Sequence, residues 1–215
     1  KLKKEREVVG IYISGHPLDD FKKEIKWFTN ADLSQLKDLK PWINKNLSLA
    51  GIINDFQHLE SRSGKGWGRF ILEDFSDQYE FRIFGEEYLK FKHFLDFNRF
   101  ICIKINIREG WRNQETGRLT DPRIQFINFE MLHDSLSKNS KKLTLQLDIR
   151  QLESESIQNL KKELRAFSGG KPLYFDIIDP KKQLKLTLPS RKHKVAISQE
   201  LLSHLEEKKW HYKLN

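Results

Sequence analysis

Apolar and polar positions change period several times along this chain. Over residues 1–28 the apolar positions fall at helical spacing, interrupted from Ser14 to Leu18 by Gly15 and Pro17. The pattern predicts a helix, a turn and a second helix, with Pro17 in the first turn of the second. A shorter helical stretch runs from Asp32 to Leu39 and ends near Pro41. From residue 47 the period drops to two. Leu47, Leu49, Gly51 and Ile53 alternate as in a half-buried strand, with Gly51 marking a bend or bulge. A polar loop from Ser61 to Trp67 follows, then Phe70 and Leu72, a turn from Asp74 to Gln78, and Phe81 and Ile83. A helical stretch from Glu86 to Leu95 precedes the most regular strand. There Ile101, Ile103, Ile105 and Ile107 share one face, and Cys102, Lys104 and Asn106 the other. A loop with Trp111, Arg112, Gly117 and Pro122 leads to a last strand, Arg123 to Leu132.

Three strands, a helix and two strands is the order of the OB-fold, a five-stranded barrel that binds oligonucleotides on its second and third strands and two long loops. Residues 134–142 are polar and aperiodic, as a linker would be. Beyond them the pattern gives a strand at Leu143 to Leu147, a helix from Ser154 to Phe167 stopped by Ser168, Gly169 and Gly170, and strands at Leu173 to Ile178 and Gln183 to Leu188. A short strand at Val195 to Ile197, a helix from about Gln199 to Lys208 and a strand from Trp210 to Leu214 complete it. The expected fold is α+β and mainly β. A helical N-terminal segment occupies 1–46, a five-stranded OB-fold barrel 47–133, the linker 134–142 and a small α+β domain 143–215.

Composition narrows the setting. With 215 residues and 38% hydrophobic content, the chain can bury one large core or two small ones. The one cysteine, Cys102, allows no intramolecular disulfide, which points to a reducing cytoplasm. No apolar run approaches the roughly 20 residues a bilayer-spanning helix needs. The first residue is Lys, not Met, so the chain reads as a piece of something longer. A net charge of +9 suggests a polyanionic partner. Most of that excess lies beyond residue 134, however, and cations and acids nearly balance over 47–133. Any nucleic-acid footprint on the barrel must come from where the charges stand.

The first long loop supplies such a placement. Arg62 and Lys65, with Arg69 beside them, surround Trp67 with no acid between. Single-strand binding needs that pairing, since cations follow the backbone while an aromatic face takes a base. A solvated turn with Trp67 packed on the barrel rim would use the same residues. The second loop holds Arg108, Trp111, Arg112, Arg118 and Arg123, partly offset by Glu109, Glu115 and Asp121. It suits either phosphate binding or a charge-balanced surface loop. Strict alternation turns Arg69, Ile71, Arg82 and Phe84 outward, which makes Phe84 beside Arg82 a base platform unless the following helix covers it. Glu86, Glu87 and Asp96 are expected away from that groove. In the tail, Lys181, Lys182, Lys185, Arg191, Lys192 and Lys194 run without an intervening acid. They suit a solvated face, a DNA contact or an acidic partner.

Chemistry-bearing patterns are missing. The seven histidines are scattered and give no zinc spacing. Asp19 with Asp20, and Glu73 with Asp74, are neighbours that point apart, so neither is a ready two-metal site. Asp74 suits a turn, and His16 a turn residue bonded to backbone. The Gly64 to Gly66 stretch lacks P-loop spacing. No catalytic residue, metal or cofactor is expected in this chain.

Glu7 to Phe21, with Gly10, Tyr12, Ser14, Gly15, His16 and Pro17, closely resembles a segment of the bacterial DNA polymerase III alpha subunit that precedes its OB domain. Leu49 to Ile53, the Gly64 to Gly66 loop, Phe70 to Asp74, Phe81 to Phe84 and the stretch Val195 to Leu205 continue the likeness. The resemblance implies that the full-length protein is a DNA-directed DNA polymerase of the bacterial cytoplasm. It implies an OB domain on the unpaired template strand and a tail domain on the tau subunit of the clamp loader. It also implies a sliding-clamp peptide and a magnesium-binding palm domain, neither of which is found in these residues. An RNA-binding OB module, such as the anticodon-binding domain of a tRNA synthetase, is the alternative. It would explain the barrel but not the segment around His16 or the tail.

Overall fold

The computed structural model describes residues 15–112 and 119–215, with Gln151 described by its backbone alone. The first predicted helix and Arg118 lie outside the described residues. The chain divides into two compact units, Lys1–His133 and Asp134–Asn215.

The first unit holds a five-stranded antiparallel sheet of β1 (Asn46–Glu60), β2 (Gly66–Glu73), β3 (Gln78–Phe84), β4 (Phe100–Arg108) and β5 (Arg123–Met131), in the order β3-β2-β1-β4-β5. β1 is long because it serves two partners. Asn46 to Ile52 pair with β4, and Ile52 to Glu60 pair with β2. The strand turns from one to the other beside a bulge between Ile53 and Asp55. Gly51 sits just before this point, where a Cβ would stand 2.5 Å from the Glu73 carbonyl oxygen. The glycine is therefore required by close approach of two backbones.

Period-two burial follows from this curvature. Leu47, Leu49, Ile53, Phe70, Leu72, Phe81, Ile83 and the four isoleucines of β4 face one interior. Phe81 on β3 meets Phe126 on β5 at 5.8 Å between centroids, so side chains of the two outermost strands touch across that interior. No ladder among the described residues joins β3 to β5. The expected closed barrel is thus found as a curled five-stranded sheet in the OB strand order. Helix α1 (Lys22–Phe28) follows a turn in which His16 Nδ1 accepts from the Leu18 amide. Leu33 and Leu36, on a 3-10 turn in place of the predicted helix from Asp32, enter the same core as the sheet. Asp74 ties this segment down. Its Oδ2 accepts from the Leu33 amide, and its Oδ1 from the amides of Ser76 and Asp77.

Helix α2 (Gly85–Phe91) packs on the interior side of β2. Tyr88 lies against Gly66 and Gly68, where a Cβ would come within 2.9 and 3.2 Å of its ring. This choice of side decides what remains open on the other.

The second unit is a four-stranded sheet of β6 (Leu143–Asp148), β7 (Ser168–Asp179), β8 (Leu184–Val195) and β9 (His211–Leu214), ordered β8-β7-β6-β9. β6 and β7 are parallel and are connected through α4 (Ser154–Ala166), while the other pairs are antiparallel. Helix α5 (Gln199–Glu207) completes it, with Ser198 capping the Leu201 amide. The helix stops before Ser168 as expected, and Ser168 to Gly170 then begin β7, with Ser168 paired to Val195. Two expectations change here. The strand predicted at 183–188 continues through Pro189 to Val195 as β8, since its partner shifts register there, while Ala196 and Ile197, predicted as strand, lie beyond its end. The aperiodic stretch 134–142 contains a one-turn helix, α3 (Ser135–Asn139), with Ser135, Leu136 and Ser140 buried.

Candidate nucleic-acid interface

β1, β2 and β3 present an outer face built in three rows. Leu59, Trp67 and Phe84 are in register, then Gln57, Arg69 and Arg82, then Asp55, Ile71 and Glu80. Alternation forces this arrangement once Phe70, Phe81 and Ile83 point inward. Trp67 and Phe84 are stacked at 5.2 Å with their planes 19° apart. Phe84 is 56% exposed, since α2 packs on the opposite side of the sheet and does not cover it. The alternative of a covered Phe84 is thereby removed.

The loop between β1 and β2 is a tight turn. The Ser61 amide donates to the Lys65 carbonyl and the Gly64 amide to the Ser61 carbonyl, both at 2.9 Å. Arg62 and Lys65 are exposed, and neither makes an ion pair among the described residues. Arg69 and Arg82 differ from them. Arg69 Nη1 donates to Glu80 at 2.9 Å, and its Nη2 is bonded to Asp55. Arg82 Nη2 lies 2.9 Å from Glu80. The cations nearest the stack are thus already neutralised, while those on the loop are not.

The strand β4–β5 connection carries the second group. Trp111, 66% exposed, has the Arg123 guanidinium 4.1 Å above its ring. Its amide donates to Thr120 Oγ1, and the Thr120 amide donates to its carbonyl. Arg112 bridges to Leu119 and is exposed, and Arg108 donates to Gln125 at 2.8 Å. Arg118 lies outside the described residues. Glu87 stands in the first turn of α2. Burial raises its pKa, opposed by the Phe126 amide and by the charge of Arg123.

Sequence reasoning missed Asp55 and Glu80. Both could be placed outward by alternation, but which arginine each meets depends on strand register, which the sequence does not display. Among the described residues no cluster of three or more His, Cys, Asp or Glu could hold a metal.

Residues 143–215 match the family described as DNA polymerase III alpha subunit, C-terminal domain. Over 199 residues the chain is 30% identical to the DNA polymerase III subunit alpha of Borreliella burgdorferi, covering 86% of this chain and 16% of that protein. It is 29% identical over 210 residues to the same subunit of Helicobacter pylori, covering 86% of this chain and 17% of that one. The chain is similar over most of its length to DNA polymerase III alpha subunits. It spans about a sixth of the length of the curated relatives it matches. A mitochondrial single-stranded DNA binding protein from S. cerevisiae aligns in three dimensions over 41% of this chain and 95% of its own, at 11% identity and a TM-score of 0.29. No helix among the described residues is long and apolar enough to cross a membrane.

Proposed function

We propose that this chain is a non-catalytic part of a replicative DNA polymerase, that its first unit holds single-stranded template DNA, and that its second docks the tau subunit of the clamp loader. The observation that carries the DNA reading is the open Trp67–Phe84 stack beside Arg62 and Lys65, which make no ion pair among the described residues. Each aromatic offers a flat surface to a base and each loop cation an attachment for phosphate, a combination that binds unpaired strands with little sequence preference. Trp111 and Arg112 offer a second such pairing on the β4–β5 connection.

The docking reading is supported by β8, an edge strand. Leu184, Leu186 and Leu188 share one face and are 62, 58 and 43% exposed. Lys181, Lys182, Arg191, Lys192 and Lys194 surround them without an ion pair among the described residues, whereas Lys185 is held by Asp176 at 2.8 Å. Exposed leucines on an unpaired edge mark a protein contact more than a DNA one.

Fluorescence anisotropy with labelled single-stranded DNA, RNA and duplex tests the first part. We expect single-stranded DNA to bind most tightly and Trp67→Ala to weaken it. Preferential RNA binding would favour the anticodon-domain alternative. A pull-down with purified tau tests the second part, which fails if Leu186→Asp retains tau as well as the parent chain does.

A further inference from the structure

We propose that Glu80 determines the preference of the outer face for unpaired over duplex DNA, by neutralising two arginines that would otherwise clamp phosphate. This rests on the reading that the face takes nucleic acid. Arg69 and Arg82 stand directly opposite each other on β2 and β3. Like charges in that position repel, so an acid between them is needed for the ladder to close comfortably.

Glu80 fills that role with both oxygens. Oε2 accepts from Arg69 Nη1 at 2.9 Å, and Oε1 accepts from Arg82 Nε at 3.0 Å. Asp55 reaches from β1 to the remaining Nη of Arg69. Two cations and two anions leave the centre of the face without net charge. Arg69 cannot turn to a ligand, since both Nη atoms are bonded and its Nε is buried with no partner. Arg82 is 64% exposed, but its guanidinium is engaged by Glu80.

This arrangement separates two kinds of DNA. A duplex keeps its base faces stacked inside and offers phosphates, which find the central arginines occupied. An unpaired strand can lay bases on Trp67 and Phe84 and needs only the loop cations for its phosphates. The discrimination therefore comes from cancelled charge on the sheet beside uncancelled aromatic surface at its edge.

Glu80→Gln keeps the shape and removes the charge that holds Arg82. The full chain should then bind duplex on the order of eightfold more tightly at 0.1 M salt than the parent chain. That is one added contact with a salt slope of about −0.9, counted from 1 M. The single-strand affinity should rise less, because that slope is about −0.7 per contact. The ratio of single-strand to duplex affinity should fall, and the duplex salt slope should steepen by about one contact. Adding Arg82→Gln should return duplex binding to the parent value. A Glu80→Gln chain whose two affinities fall together, or whose duplex salt slope is unchanged, overturns the inference. The Trp67→Ala arm separates the two ideas. If it leaves single-strand binding intact, the face itself is misassigned. If it abolishes binding while Glu80→Gln leaves the ratio unchanged, only the role of Glu80 is lost.

Discussion

Trp67 and Cys102 show how one residue's surroundings decide its chemistry. Trp67 is half-buried, with one ring face on Phe84 and its edge near a cationic loop. Removing a base-stacking aromatic costs about 1–3 kcal/mol of single-strand affinity. Trp67→Ala should reach that range in an anisotropy titration with an oligothymidine, with thermal unfolding of the variant showing that the fold is kept. Cys102 sits on β4 among Leu18, Ala50 and Leu132, and is buried. Burial, and then the Glu130 carboxylate, push its thiol up to about 12. The thiolate is the reactive form, so iodoacetamide at pH 8 should label Cys102 only after urea unfolds the chain. Because the folded pKa lies above the unfolded one, this site's contribution to stability is complete below about pH 9. It is lost as pH rises towards about 12, at roughly 1.4 kcal/mol per pH unit. Urea titrations at pH 8 and pH 10.5 should show a lower midpoint at the higher pH, and a Cys102→Ser chain should show less of that drop.

At the scale of elements, the strands were legible where burial alternates and illegible where partners change. The isoleucines of β4 and the inward phenylalanines of β2 and β3 follow period two, and the sequence places them correctly. The run of β8 past Pro189 to Val195 was hidden, since a proline normally ends a ladder and the register shift that accommodates it depends on β7. The site divides the same way. Which residues face outward followed from alternation, while the Arg69–Glu80–Arg82 contacts needed the β2–β3 register. The length of β1 was hidden too, yet its key residue was visible as Gly51. Gly51→Ala would drive a methyl group into the Glu73 carbonyl and the Leu72 side chain, at 2.5 and 2.7 Å. Overpacking of this kind costs about 1–3 kcal/mol. Denaturant titration of Gly51→Ala should show a loss in that range. Gly64→Asn, by contrast, should be nearly neutral. Gly64 has a φ of +74° with open space around it, and asparagine tolerates a left-handed backbone.

For the whole molecule, the division into two units places a boundary between His133 and Asp134, nine residues before the first strand of the tail. The polar stretch between them belongs to the second unit. α3 lies within it, the Lys141 amide donates to Asn215 Oδ1, and the Asn215 amide donates to the Lys142 carbonyl. These bonds fasten the far end of β9 to residues that a fragment starting at Leu143 would lack. β9 is four residues long and forms one edge of the sheet, so these two bonds extend a short ladder to β6. A fragment of residues 134–215 should therefore fold alone, with a cooperative thermal transition and dispersed amide resonances. A fragment of 143–215 should be less stable by about 1–3 kcal/mol, the sum expected for two lost hydrogen bonds. Its amides at Lys213 and Leu214 should exchange with solvent faster than those of Leu145 and Leu173 in the sheet's interior. Equal stability of the two fragments would place the boundary at 143 and return residues 134–142 to the role of a linker.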